Sequence, residues 1–295
     1  MHELAGGICL RRAFTLIELL IVISVISLLM SILAPALSKA RRQAQAIVGM
    51  GNQRQIVNAV NLFAMDHDGL YPESVATIGT EPWWNWQEPT VLIGYRARSP
   101  RMYRSMSAYL RAYLEDADSV HCPAAPGGHM YIKEAWAAGD DWDNPETDPV
   151  LDPLKGTYCL YWNYTGYLEG AEHFFEGPRG PAGGRRQSRL LVSCYFGYDH
   201  HRSPRAYGSC QYFRGADITE GRPLSSAYWS RDMGGRSPTP DVKLYAGYTD
   251  GRVESCLSSE TSMSIMRVIM NPDTSEPYPY GIGPGEFYLP RNALP

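Results

Sequence analysis

The chain has 295 residues, 44% of them apolar and 20% charged, and a formal net charge of −4. So mild an acidity excludes a global cationic field for nucleic acid, and the stretch beyond residue 70 is long enough for one sizeable core, with or without insertions. No G-x-S-x-G elbow and no H-E-x-x-H pair occurs, so no catalytic constellation is expected.

The first element is the run FTLIELLIVISVISLLMSILAPALS from Phe14 to Ser38, whose one ionisable side chain is Glu18. About 20 apolar residues cross a bilayer as a helix, so the run predicts a membrane helix. A carboxylate within it costs about 2.5–3.5 kcal/mol on insertion scales and asks for a cation. A cut between Ala13 and Phe14 would create an α-amino group one helical turn from Glu18. In a packed array the amine of one subunit could then meet the carboxylate of its neighbour, offsetting the burial cost and setting register.

These residues resemble the type IV pilins and the pseudopilins of type II secretion. Their signature is a short basic leader, a small residue at the cut, FTLIE, a hydrophobic helix and a proline about five turns further on. Arg11 and Arg12 fit the leader, Ala13 the cut, Phe14 the new N-methylated terminus, Glu18 the glutamate and Pro35 the proline. Ala13 departs from the usual glycine; alanine is small enough for processing to survive. A secretory signal peptide would have an apolar core of about 7–15 residues and an A-x-A cut, for which Ala34-Pro35-Ala36 could be mistaken. The run here is longer and carries Glu18.

The resemblance implies an α+β fold, with a long N-terminal transmembrane helix packed on a globular head that holds an antiparallel β-sheet. It implies cleavage between Ala13 and Phe14 by a prepilin peptidase, N-methylation of Phe14, and assembly through Glu18 and Pro35. Other pilin or pseudopilin subunits and an inner-membrane assembly platform are the further partners it implies; no nucleic acid is expected. Arg11 and Arg12 favour a cytoplasmic N-terminus by the positive-inside rule, although Lys39, Arg41 and Arg42 oppose them. The prepilin leader breaks the tie and places the head in the periplasm of a bacterial single-pass inner-membrane protein. The expected divisions are a leader at 1–13, a transmembrane or filament-core helix at 14–38, its extension at 39–69 and the head at 70–295. Loss of the leader removes two Arg and one Glu and moves the formal charge from −4 to −5.

From Lys39 to Asp66 there is no proline, and Ile47, Ile56, Val57, Val60, Phe63 and Ala64 recur on one helical face. The run from Phe14 to about Met65 predicts a rod of roughly 78 Å. Pro35 is expected to kink or locally melt it, and Gly49 and Gly51 to weaken it. Asp66-His67-Asp68-Gly69 is expected to end it. Asp66 and Asp68 look faintly like the start of a calcium loop whose remaining ligands are missing; a helix-ending turn is the competing reading. The D-x-x-G-x-Y-P run from Asp66 to Pro72 resembles large G-type, planctomycete-like pseudopilin relatives. Some G-type heads bind calcium, so calcium is the one cofactor the resemblance brings in.

Further along, Trp83-Trp84-Asn85-Trp86 is the densest aromatic cluster, read as core packing or a subunit contact, with sugar stacking as the alternative. Met102 to Leu114 has amphipathic helical spacing, and Val120-His121-Cys122-Pro123 resembles a V-x-C-P element of the same relatives. Tyr158 to Tyr167 reads as a tyrosine-rich strand, Leu190 to Phe196 as a short apolar one, and Val242 to Leu257 as two strands joined at Asp250-Gly251. Gly139–Gly156 and Glu176–Gln187 read as surface insertions. Asn163-Tyr164-Thr165 matches a glycosylation acceptor and is discounted within a strand; Asp199-His200-His201 is a weak transition-metal candidate.

Cys9 leaves with the leader, which strands Cys122, Cys159, Cys194, Cys210 and Cys256 in an oxidising space. The odd number allows at most two bridges. Cys159, Cys194, Cys210 and Cys256 are the expected participants because they lie in or beside predicted strands. The functional expectation is a structural subunit of a type II secretion pseudopilus or related type IV filament. An anchored minor pilin or adhesin, whose head binds carbohydrate or protein, is the alternative.

Overall fold

A computed structural model describes residues 15–76, 89–93, 105–114, 116–123, 131–142, 154–168, 174–198, 207–208, 243–257, 263–271, 276–277 and 286–294. The chain divides into two compact units, Met1–Ala44 and Gln45–Pro295. Helix α1, Leu16–Asp66, contributes to both.

Helix α1 begins with a reciprocal capping box. Glu18 N donates to Thr15 Oγ1 at 3.2 Å, while Thr15 N donates back to Glu18 Oε2 at 2.9 Å. The helix then runs unbroken for 51 residues through Pro35, Gly49 and Gly51. Local melting at Pro35 is therefore not seen; the proline removes one donor from a ladder that neighbouring turns sustain. The stop falls where expected: Gly69 N reaches back to Ala64 O at 2.8 Å, with Asp68 and Gly69 at φ 53 and 77.

In the second unit α1 packs with the side of Gly49, Gln53, Ile56, Val57, Ala59, Val60, Phe63 and Ala64. Ile47, expected on that face, is instead exposed. The remaining elements are β1 (Val91–Ile93), α2 (Met106–Leu110), α3 (Ile132–Ala138), β2 (Leu154–Lys155), β3 (Tyr158–Leu160), β4 (Thr165–Leu168), β5 (Phe175–Glu176) and β6 (Leu190–Cys194). They continue with β7 (Phe196–Tyr198), β8 (Tyr207–Gly208), β9 (Lys243–Tyr248), β10 (Val253–Leu257), β11 (Met263–Asn271), β12 (Glu276–Pro277) and β13 (Glu286–Pro290).

One sheet runs β10-β9-β6-β3 and a second runs β5-β4-β11-β13-β7-β8, with β12 on β11; the pairings are antiparallel. The two faces of the first sheet explain the layering. Val192, Cys194 and Tyr245 join Ile56, Val57, Val60 and Phe63 of α1 in one core. Cys159, Leu190, Ala246 and Tyr248 point the other way, into a core shared with Leu168, Met266, Val268, Phe287 and Leu289 of the second sheet. The helix rests close on the first sheet at Gly247, where an added Cβ would come 2.8 Å from Val57 Cγ2 and 2.9 Å from Val192 Cγ1. The α+β, pilin-like architecture is thus present.

Several elements differ from the sequence reading. Tyr158 to Tyr167 is two strands in different sheets, separated by a turn in which Asn163 has φ 51. The Met102–Leu114 helix is Met106–Leu110, because Ser105 Oγ caps it by accepting from Ala108 N at 3.1 Å. The Leu190–Phe196 strand ends at Cys194, and Phe196 opens β7 in the second sheet. The hairpin at Asp250-Gly251 forms as expected. The tryptophan cluster at 83–86, Asp199-His200-His201 and Cys210 lie outside the described residues.

Candidate functional site

The candidate functional surface is the first part of α1. From Leu16 to Leu37 its Leu, Ile, Val and Met side chains are exposed, including Ile17, Ile21, Ile26, Met30 and Leu33. By length and composition this helix can cross a membrane. Its polar groups are satisfied locally: Ser24 Oγ donates to Leu20 O and Ser31 Oγ to Leu28 O, each at 2.7 Å, which removes the penalty of bare hydroxyls in lipid. Glu18 Oε2 accepts from Thr15 N and from Thr15 Oγ1, the latter at 2.7 Å. Glu18 Oε1 has no partner among the described residues. Ala13 and Phe14 lie outside the described residues, and Pro35 sits inside the helix.

Beyond residue 44, amides attach α1 to the head. Gln45 Nε2 donates to Pro123 O at 3.0 Å, and Asn52 Nδ2 to His121 O at 2.8 Å. Gln53 Nε2 donates to Tyr245 O at 3.2 Å and to Cys194 Sγ at 3.3 Å. Asn61 Nδ2 donates to Thr249 O at 3.2 Å. In the reverse direction Tyr158 Oη donates to Gly49 O at 3.2 Å and Tyr71 Oη to Asn61 Oδ1 at 2.7 Å. Burial pushes the Tyr71 and Tyr158 hydroxyls well above the usual phenol range, so both remain donors. The sequence reading followed the apolar stripe and missed these amides, although Asn and Gln at spacings of seven and eight beside such a stripe were a visible signal.

The expected metal ligands are not gathered. Asp66 Oδ2 accepts from Tyr113 Oη at 2.7 Å, a bond that raises the Tyr113 pKa. Asp68 occupies the left-handed turn after the helix. Among the described residues no group of three or more His, Cys, Asp or Glu could hold a metal ion.

The disulfide expectation also changes. Cys159, Cys194 and Cys256 are thiols, and the bridged residue is Cys122, which had been passed over because it lies outside the strands. Register explains the correction. Cys159 faces Ser193 while Cys194 faces Tyr158, so the two cysteines lie on opposite faces of one sheet. Cys256 pairs with Leu244 on β9, and β9 separates β10 from β6. Two strand spacings are about 10 Å, beyond the roughly 4.4–6.8 Å between Cα atoms that a disulfide spans.

Residues 9–34 match the prokaryotic N-terminal methylation motif. No curated protein and no solved structure matches the chain. The motif supports a type IV pilin- or pseudopilin-like substrate of prepilin peptidase that assembles with other pilin subunits, and it suggests a structural rather than enzymatic role. The single N-terminal apolar helix fits a single-pass membrane-anchored pilin.

Proposed function

We propose that this chain is the structural subunit of a type II secretion pseudopilus or a closely related filament, held in the inner membrane with its head in the periplasm until assembly. The observation that carries the proposal is α1 itself: an exposed apolar segment through Leu37 continues as the helix whose Ile56, Val57 and Val60 form the core of the head. A plain anchor needs no such continuity, whereas a filament built on packed helices does. Prepilin peptidase cuts between Ala13 and Phe14 and the new terminus is N-methylated. Glu18 Oε1 then receives the amine of a neighbouring Phe14. Pro35 shapes the helix within the filament core.

Two measurements test this reading. N-terminal mass spectrometry of membrane-extracted protein should give a chain beginning at N-methylated Phe14; a start at Ala36 or Ser38 would establish a signal peptide. Cysteine or photo-cross-linking at Ile26 in cells expressing the assembly machinery should give ladders of oligomers. A correctly processed but strictly monomeric chain would instead favour the anchored adhesin.

A further inference from the structure

The segment from Gly177 to Arg189 is an exposed insertion that the fold holds in one conformation. Gly177 N donates to Tyr164 O at 2.8 Å, Asn163 N to Pro178 O at 3.0 Å, Tyr71 N to Arg179 O at 2.8 Å and Ser188 N to Glu176 O at 2.8 Å. Internal turns close from Gly183 N to Gly180 O and from Gln187 N to Gly184 O, each at 3.1 Å. Gly180 lies so close against Gly69 O that a side chain there would overlap it. The insertion is therefore pinned at the end of α1 by glycine and backbone contacts, with its side chains left over for other use.

Those side chains are cationic. Arg179, Arg185, Arg186 and Arg189 are exposed, and no acidic residue occurs between Gly177 and Tyr198. Among the described residues none of the four guanidiniums forms an ion pair. The carboxylates of Asp66 and Glu73 at this end accept from Tyr113 and Tyr109, and Asp68 and Glu176 flank the base of the insertion, away from its Arg185-Arg186 tip in sequence. Four exposed guanidiniums suit a planar carboxylate-bearing partner.

The same head carries such a partner surface elsewhere. Asp116, Asp118 and Glu134 are exposed around Lys133. Lys133 Nζ meets Asp118 Oδ2 at 3.0 Å. That bond, followed by the charges of Asp118, Asp116 and Glu134, raises the Lys133 pKa. Three carboxylates around one ammonium leave a net negative face. It is fixed to α1 through Asn52 Nδ2 to Asp118 O, at 3.2 Å, and Ser119 Oγ to Gln55 Oε1, at 2.6 Å. The arginine insertion is fixed beyond Asp66. The two anchor points are about 14 residues apart, or roughly 20 Å along the helix at 1.5 Å per residue, so the arginine tip and the acidic face are separate patches of one head.

We propose that the partner is a second copy of this chain, with the Arg185-Arg186 tip of one head seated on the Asp116, Asp118 and Glu134 face of the next. Because one patch meets a different patch, the contact is heterologous and propagates into a ring or an open helical filament. Complementary charge sets orientation and speeds encounter, and salt weakens it. This inference rests on the filament reading and supplies its head-to-head contact.

The test uses the full chain in membranes with its assembly machinery and two photo-cross-linking positions, Ala182 in the insertion and Ile26 in the apolar helix. The expected result is an Ala182 cross-link to the 116–134 peptide of a second copy, reduced about tenfold by R185E/R186E and restored when D118K/E134K is added. Ile26 cross-links in the same R185E/R186E sample report that the variant is folded and assembled. Three results would overturn the contact while sparing the filament: Ile26 ladders with Ala182 cross-linked elsewhere on the partner, Ile26 ladders with Ala182 cross-linked to a different protein, or no response to the charge reversal. Loss of ladders at both positions in the unmutated chain would overturn both proposals.

Discussion

Asn163 donates from its side-chain amide to two consecutive carbonyls, Tyr71 O at 3.1 Å and Pro72 O at 2.7 Å. It does so from a left-handed backbone position, φ 51, in the turn between β3 and β4. One side chain thus ties the chain leaving α1 to the turn that connects the two sheets.

Two substitutions separate its roles. Asn163→Gly keeps the left-handed backbone accessible and loses both bonds, which should cost about 1–3 kcal/mol. Asn163→Asp replaces the donor with a carboxylate facing two carbonyls and should cost more than the glycine variant. Urea unfolding of the detergent-solubilised chain measures both; equal midpoints for all three proteins would show that the bonds contribute nothing.

Glu18 has two duties that substitutions can also divide. Glu18→Gln retains the capping geometry toward Thr15 but carries no charge for a neighbouring amine, and Glu18→Ala loses both. Both variants should insert, since removal of the charge relieves about 2.5–3.5 kcal/mol of transfer cost, and both should lose cross-linked ladders at Ile26. Wild-type ladders from Glu18→Gln would reduce the glutamate to a helix cap worth about 1 kcal/mol.

The mature chain should show three reactive thiols when labelled denatured and unreduced, those of Cys159, Cys194 and Cys256. We expect Cys210 to bridge Cys122. Closure of about 88 residues would contribute about 4–5 kcal/mol in the chain-entropy model. Peptide mapping checks the pairing, and five labelled thiols would show a head held by packing alone. In the native protein burial holds the Cys256 thiol above its usual pKa, so its labelling should be slow at neutral pH.

His121 supplies a pH dependence of definite sign. Burial lowers its pKa, more than the nearby Asp118 charge raises it. The folded state therefore binds this proton less readily than the unfolded state. Its contribution is fully present above the unfolded value of about 6.5 and is lost as pH falls through and below that value. Melting temperature should decline from pH 7 toward pH 5, and His121→Gln should flatten that part of the profile. An unchanged slope in the variant would assign the decline to other groups.

Sequence periodicity reached the elements whose signal is local. α1 from Leu16 to Asp66, its stop at Gly69 and the β9–β10 hairpin at Asp250-Gly251 all carry their own start, face or turn chemistry. It failed where neighbours decide. Met263 to Asn271 is a central strand of the second sheet, recognisable only through its pairing with β4 and β13. Tyr158 to Tyr167 is one run of strand-forming residues, yet Asn163 breaks it because its amide is needed by Tyr71 and Pro72. The same limit applied to the site. Glu18 is conspicuous as the one charge in an apolar run, whereas Asn52, Gln53 and Asn61 are ordinary until the carbonyls opposite them are placed. Cys159 and Cys194 looked like disulfide participants, yet both are thiols and register puts them on opposite faces of one sheet.

The amides that join α1 to the head have a mechanical consequence. Gln45, Asn52, Gln53 and Asn61 grip the head at points spread along the helix axis, and each donates from the helix side to a backbone carbonyl of the surrounding chain. A pull along α1 therefore loads these bonds together, in shear, instead of opening them one after another like a zipper. Because every gripping side chain is uncharged, the yield force should depend little on ionic strength, and the head should stay on its helix under traction in dilute and briny surroundings alike.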